Sequence, residues 1–390
     1  MKREDNLSKP KSEANGMNGT IRVGKLFGIP FYINPSWFLV LGLVTWSYGS
    51  GLAAQFPQLG VGLAFLLGLM TALLLFSSVI AHELGHSFVA IRQGIDVKSI
   101  TLFIFGGLAS LEKESKTPGA AFWVAIAGPL VSLILFGTLT VIGAEIDPST
   151  PLAGILGVLA SVNLALALFN LIPGLPLDGG NILKALVWKI TGNPYQGVVF
   201  ASRIGQIFGW LAIASALLPL VLFGSFGNFW NLLIGFFLLQ NAGNAGQFAK
   251  VQEKLAGLTA ADAVNSDSPI VSANLTVREF ADEQIFNRQN WRRFLVTDDN
   301  GQLVGSVSVD SLRTIPTTLW SETQISQVMQ PIEISSTVAS DRPLLDVVRL
   351  LETQKLSALA VIRENGVLVG ILEKAAIINL LQKQAQISPA

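Results

Sequence analysis

From Leu26 to Ala81 the chain carries no Asp, Glu, Lys, Arg or His, and then His82, Glu83 and His86 arrive within one stretch of five residues. So long an uncharged run needs an apolar solvent, and roughly 20 residues of helix cross a bilayer core. The run predicts two spanning helices, over 36–55 and 61–82, the second ending at His82-Glu83-Leu84-Gly85-His86. Positions i and i+4 share a helix face, so His82 and His86 can share one ligand, while Glu83 points about a quarter turn away. Two imidazoles so spaced, with a carboxylate between them, are the arrangement that holds zinc and supplies a general base. The chain has no other histidine and no cysteine. Disulfides and thiolate metal sites are therefore excluded, and a third protein ligand has to be a carboxylate.

Composition agrees with a membrane protein: 51% of residues are hydrophobic and 13% charged, against about 25% charged in ordinary soluble chains. The net charge is zero, which leaves no nucleic-acid footprint. Residues 1–19 read as a polar, disordered lead without the apolar core of a cleaved signal peptide. Further spans are expected over 119–144, 152–172, 203–223 and 227–245, six in all, with short strands within 20–34 and 98–111. Arg92, Lys98, Lys113, Lys116, Lys184 and Lys189 fall on one side of this arrangement, whereas the turns at 51–60 and 224–228 carry no Lys or Arg. The positive-inside rule puts the basic side and both termini in the cytosol. Spans two and four then both run inward and bring the histidine motif and the segment Asn170…Pro173…Pro176-Leu177-Asp178 to one depth. Ionisable residues at such depth cost of order 2.5–3.5 kcal/mol each on insertion scales and mark function by default.

Alternatives stand beside each residue. Asp178 is either the carboxylate ligand or the cap of a helix starting near Asn181. Asn170 is either an interhelical hydrogen-bonder or a substrate or oxyanion contact. Gly106 and Gly107, after Phe105, are either a plain turn or a strand edge that holds a substrate extended, exposing peptide bonds that a helix would hide. Ala127-Gly128-Pro129-Leu130 reads as a kink or close-packing site.

After Phe248 charges become frequent and no further span is possible; residues 249–258 read as a linker helix. Leu295–Gly305 then matches Ala360–Gly370, each copy reading as strand, Asn-Gly turn, strand and helix. Amphipathic helical patterns precede them over 275–287 and 342–354.

Together these motifs resemble the site-2 protease family of intramembrane zinc metalloproteases over a domain at 20–248, and a tandem cystathionine-β-synthase-type (CBS) pair with repeats at 259–318 and 319–385. The resemblance implies a multi-domain chain: a polytopic α-helical membrane domain with short cytosolic-side strands, then an α/β pair. It implies one Zn2+ held by His82, His86 and Asp178, with Glu83 as general base. The substrate would be a single-span membrane protein, cleaved in regulated intramembrane proteolysis. The location would be a bacterial-type inner or plasma membrane, with the CBS pair cytosolic. Such pairs imply adenine-nucleotide sensing, yet Ser311, Glu373 and Ala376 stand where Asp, Thr and Asp are expected. A structural or homodimer-forming module is the alternative there. The rival function is a CBS-gated transporter or channel, which the broken backbone at Pro173 and Pro176 also suits.

Overall fold

The computed structural model describes residues 19–104, 106–224, 228–265, 267–282, 291–331 and 336–387. The chain divides into two compact units, Met1–Ala249 and Lys250–Ala390.

The first unit opens with a hairpin, β1 (Ile21–Leu26) and β2 (Ile29–Ile33), followed by α1 (Ser36–Gln55) and α2 (Gly60–Arg92). A second hairpin follows, β3 (Val97–Phe103) and β4 (Gly106–Leu111). The four strands form one sheet in the order β1-β2-β3-β4. β2 pairs parallel with β3, so α1 and α2 make the crossover between them. The sheet packs on α2 at the histidine turn itself: buried Leu84 meets Ile29 and Ile100. Trp37 and Leu102 pack alongside. β4 is left as the edge next to that turn.

Three further helices follow: α3 (Pro118–Ala144), α4 (Pro151–Asn170) and α5 (Asp178–Thr191). α3 and α4 each start with a proline behind a threonine whose hydroxyl accepts from the backbone, Thr117 from Ala120 and Thr150 from Ala153. α6 (Pro194–Phe223) and α7 (Phe229–Leu255) complete the run. Five stretches among the described residues are long and apolar enough to cross a membrane: Ser36–Gln55, Pro57–Arg92, Pro118–Ala144, Pro151–Asn170 and Pro194–Phe223.

Two sequence expectations shift here. The sixth span, expected over 227–245, falls in α7, where Asn231, Gln240, Asn241, Asn244 and Gln247 dilute the apolar character, and it is not among the five. That helix also runs on through most of the 249–258 linker. The second span does not stop at His82; apolar residues after His86 carry α2 on to Arg92, so the motif sits inside the helix.

The second unit holds two three-stranded sheets. The first joins β5 (Ile270–Ser272), β6 (Arg293–Thr297) and β7 (Leu303–Ser308), with α8 (Val277–Phe280). Residues 283–287 of the expected amphipathic helix lie outside the described residues. After α9 (Ile325–Val328), the second sheet joins β8 (Thr337–Ala339), β9 (Ala358–Ile362) and β10 (Leu368–Glu373), with α10 (Leu344–Thr353) and α11 (Lys374–Ile387). β6 and β9 begin at 293 and 358, β7 and β10 at 303 and 368, an offset of 65 in both cases. Each hairpin breaks register at the same place, after its Asn-Gly turn. The two turns bond each other reciprocally: Leu303 N–H donates to Gly366 O, and Leu368 N–H to Gly301 O.

The two repeats also exchange their leading segments. Leu255, Ala260 and Ala263, ahead of β5 at the start of the first repeat, are buried in the core of the second with Leu344, Val347 and Leu372. Ile325, ahead of β8 at the start of the second, is buried in the core of the first with Val277, Phe280 and Phe294. Ile325→Ala should therefore cost about 2–5 kcal/mol. Hydrogen exchange should accelerate in β5, β6 and β7, the strands whose core it completes, ahead of β8, β9 and β10.

Thr276 and Glu279 form a capping box, as do Thr259 and Asp262. Backbone and hydroxyl donors from Thr276 hold the Glu279 carboxyl below its ordinary range, and Thr259 does the same for Asp262. A folded-state pKa below the unfolded one means that this stabilisation is present above the unfolded carboxylate value, about 4, and is lost as pH falls through the folded value. Hydrogen exchange over 276–280 should accelerate on that acid side, and the acceleration should shrink in Glu279→Gln.

Candidate active site

α2 places His82 and His86 one turn apart, facing α3 and the start of α5. His82 Nε2 lies 3.1 Å from Asp178 Oδ2 and His86 Nε2 lies 3.3 Å from the same oxygen. The two Nε2 atoms are 3.3 Å apart. These three donors could hold one metal ion. Tetrahedral ligand atoms about 2.0–2.1 Å from a zinc stand about 3.3 Å from each other, so the triangle has the dimensions that zinc requires. The side chains are well sheltered, at 4%, 12% and 18% exposure for His82, His86 and Asp178.

Asp178 reaches this point because the chain breaks between α4 and α5. Pro173 and Pro176 have no N–H, which rules out a regular helix through them. Every other N–H of the break is bonded: Leu171 to Ala167 O, Ile172 to Phe169 O, Gly174 to Ile172 O, Leu175 to Ala201 O on α6, and Leu177 to Gly174 O. α5 then folds back over the break so closely that a Cβ on Gly180 would overlap the Gly174–Leu175 backbone. Asp178 is the first residue of α5, so the helix begins three residues before the expected Asn181. Its carboxylate is turned to the imidazoles rather than to a cap.

α3 forms the wall behind the histidines. His86 Nδ1–H donates to the Val124 carbonyl at 2.6 Å, which leaves Nε2 as that ring's free lone pair. His82 Nδ1 pairs with the Ser132 hydroxyl at 2.9 Å, and Ser132 is fully buried. Between these contacts Gly128 lies flat against both rings; a Cβ there would stand 2.6 Å from His82 Nε2 and nearer still to His86 Nε2. Gly128-Pro129 is thus a close-packing site, and what packs on it is the imidazole pair. α3 continues through Pro129 as one helix.

β4 closes the opposite side. The Ala109 backbone N–H lies within hydrogen-bond reach of the Glu83 carboxylate. A Cβ on Gly107 would come within 2.5 Å of Glu83 Cγ. Gly106 has φ +133°, a conformation that favours glycine. The glycines therefore open β4 rather than form a plain turn; Phe105 lies outside the described residues. Glu83, Gly106, Gly107, Asn170 and the three donors all line one cavity of about 470 Å³. Sequence reasoning missed Ser132 and Val124. A buried serine one turn past Gly128-Pro129 was the available signal, but its partner sits 50 residues away.

The fold and the site define a membrane-embedded metallopeptidase, and comparison with known proteins agrees. The profile described as Peptidase family M50 matches residues 70–148 and 148–212, and the CBS domain profile matches 260–316 and 325–383. The Synechocystis protein named "Putative zinc metalloprotease sll0528" is 56% identical over 369 residues, covering 95% of this chain and 97% of that one. The Mycobacterium tuberculosis protein named "Putative zinc metalloprotease Rip3" is 31% identical over 370 residues, covering 94% and 93%. The solved structure of the site-2 protease from Methanocaldococcus jannaschii is 31% identical, with a TM-score of 0.42, and covers 58% of this chain and 95% of that one. The chain belongs to peptidase family M50, the site-2 proteases, and is an integral membrane zinc metalloprotease carrying a tandem CBS pair.

Gly128→Ala should force the imidazoles off the Nε2 triangle. Zinc measured per purified chain should fall from about one towards zero, while the helix content of the chain stays unchanged.

Proposed function

We infer that this chain is an endopeptidase that cuts transmembrane segments of single-span, membrane-bound regulators, and that the CBS pair regulates it. The observation that carries this reading is the shared cavity: three metal donors, a non-ligating carboxylate and the free edge of a sheet line one space.

In this mechanism His82, His86 and Asp178 are the residues that would hold the ion. Bound zinc lowers the pKa of water towards neutrality and polarises a carbonyl. Glu83 sits beside the donors without joining their triangle, so it is free to take a proton from the attacking water and hand it to the leaving amine. β4 has no strand partner on its outer edge among the described residues. A substrate segment adding there unwinds from helix to strand, which frees the carbonyl that a helix would keep bonded. Gly106 and Gly107 allow the close approach, and Asn170, the last residue of α4, offers an amide to the substrate backbone.

The Lys and Arg pattern supports a cytosolic position for both termini and the CBS pair, a placement that requires α7 to cross as a sixth helix beside the five most apolar stretches. Ribose recognition has little to build on there: Ser311 Oγ–H is committed to the Ser308 carbonyl at 2.6 Å, and Ala376 offers no acceptor. Assembly of the pair into a homodimer is the regulatory route this favours.

Glu83→Gln should lower the rate of cleavage of a single-span peptide by about 100-fold or more, the contribution of a general base. Zinc content should stay at the wild-type level, which separates loss of the base from loss of a ligand. Cleavage that persists at the wild-type rate in this variant would rule the mechanism out.

A further inference from the structure

Two charged side chains lining the cavity, Lys184 and Glu114, play no part in that chemistry. Lys184 lines the same cavity as the donors, on α5, with its side chain only 17% exposed. It is the one Lys or Arg among the described residues lining that cavity. Its ammonium pairs with Glu114 Oε2 at 3.1 Å. Glu114 belongs to the loop between β4 and α3, and its side chain is 77% exposed. The pair therefore spans the two walls between which a strand added to β4 has to lie. A carboxylate so exposed binds its partner weakly, whereas the sheltered ammonium keeps its need for a counter-charge when Glu114 is displaced.

The spacing gives the position. Asp178, Asn181, Lys184 and Trp188 all face the cavity and run along one side of α5 away from the metal donors. At about 1.5 Å per residue, Lys184 stands about 9 Å along the helix axis from Asp178. An extended chain covers that distance in about three residues. We propose that Lys184 is a specificity-determining residue: it binds an Asp or Glu side chain of the substrate about three residues from the scissile bond, displacing Glu114.

This rests on the strand-addition reading above. The test uses the full-length, zinc-loaded chain in detergent with a set of apolar single-span peptides. They are identical except for one Asp, Asn or Lys, moved position by position through the segment, and cut sites are read by mass spectrometry. Wild type should favour cuts with Asp about three residues away, on one side only, by about fivefold in kcat/KM over Lys. Lys184→Gln should remove the preference, and Lys184→Glu should invert it towards Lys. Glu114→Gln should raise the preference for Asp, because the ammonium then has no resident partner; a merely structural ion pair would not give that rise. A wild-type profile without the acidic preference, or one unchanged by Lys184→Glu, overturns the proposal while leaving the endopeptidase reading standing. Absence of any cut in wild type that is missing in Glu83→Gln overturns both.

Discussion

The membrane unit depends on the contact between α3 and one turn of α2. A turn carrying two imidazoles and a carboxylate inside an apolar helix is expensive unless each polar atom has a partner. α3 supplies partners for both Nδ1 atoms, through the Val124 carbonyl and the Ser132 hydroxyl, and α5 supplies a carboxylate to both Nε2 atoms. Gly128 lets the two helices come close enough for this to happen. The other face of the same turn is apolar: Leu84, two residues from each histidine, closes against the sheet. One helical turn thus anchors a polar centre on one side and a hydrophobic core on the other. The sheet edge and the metal donors are held in register by the residues between them.

The break between α4 and α5 obeys the same constraint. Irregular backbone at membrane depth is tolerated where its polar groups are satisfied. Each N–H from Leu171 to Leu177 that can donate does so, and the two residues that cannot are prolines. The chain is therefore irregular there without leaving an unpaired donor, which lets Asp178 sit at a helix start and still face inward.

Much of this was legible because the motifs are local. The spacing of His82 and His86 is a property of one helix, and the lack of Cys or a third His narrowed the remaining ligand to a carboxylate. Loop charges pointed to Asp178 by depth, and the Asn-Gly turns announced two hairpins whose strands fall at the same offset. Illegible were the contacts made across the fold. Gly128 read as a packing site with no partner named, since nothing in its own stretch says that imidazoles lie against it. Ser132 looked like any serine in an apolar helix. The length of α2 was underestimated because the motif looked like an end, when the apolar run simply resumes past it. α7 read as an apolar span because its amides are spread thinly along it, and they keep it outside the five most apolar stretches.

The exchange of leading segments in the CBS pair has a consequence for biosynthesis. Domains ordinarily close in the order in which they leave the ribosome. Here the first repeat, although made first, lacks a core residue until Ile325 has emerged. The stretch holding Ala260 and Ala263 waits longer still, until the strand with Leu372 has been made. Neither repeat can finish alone. The pair closes as one event, after the apolar helices that precede it have been synthesised.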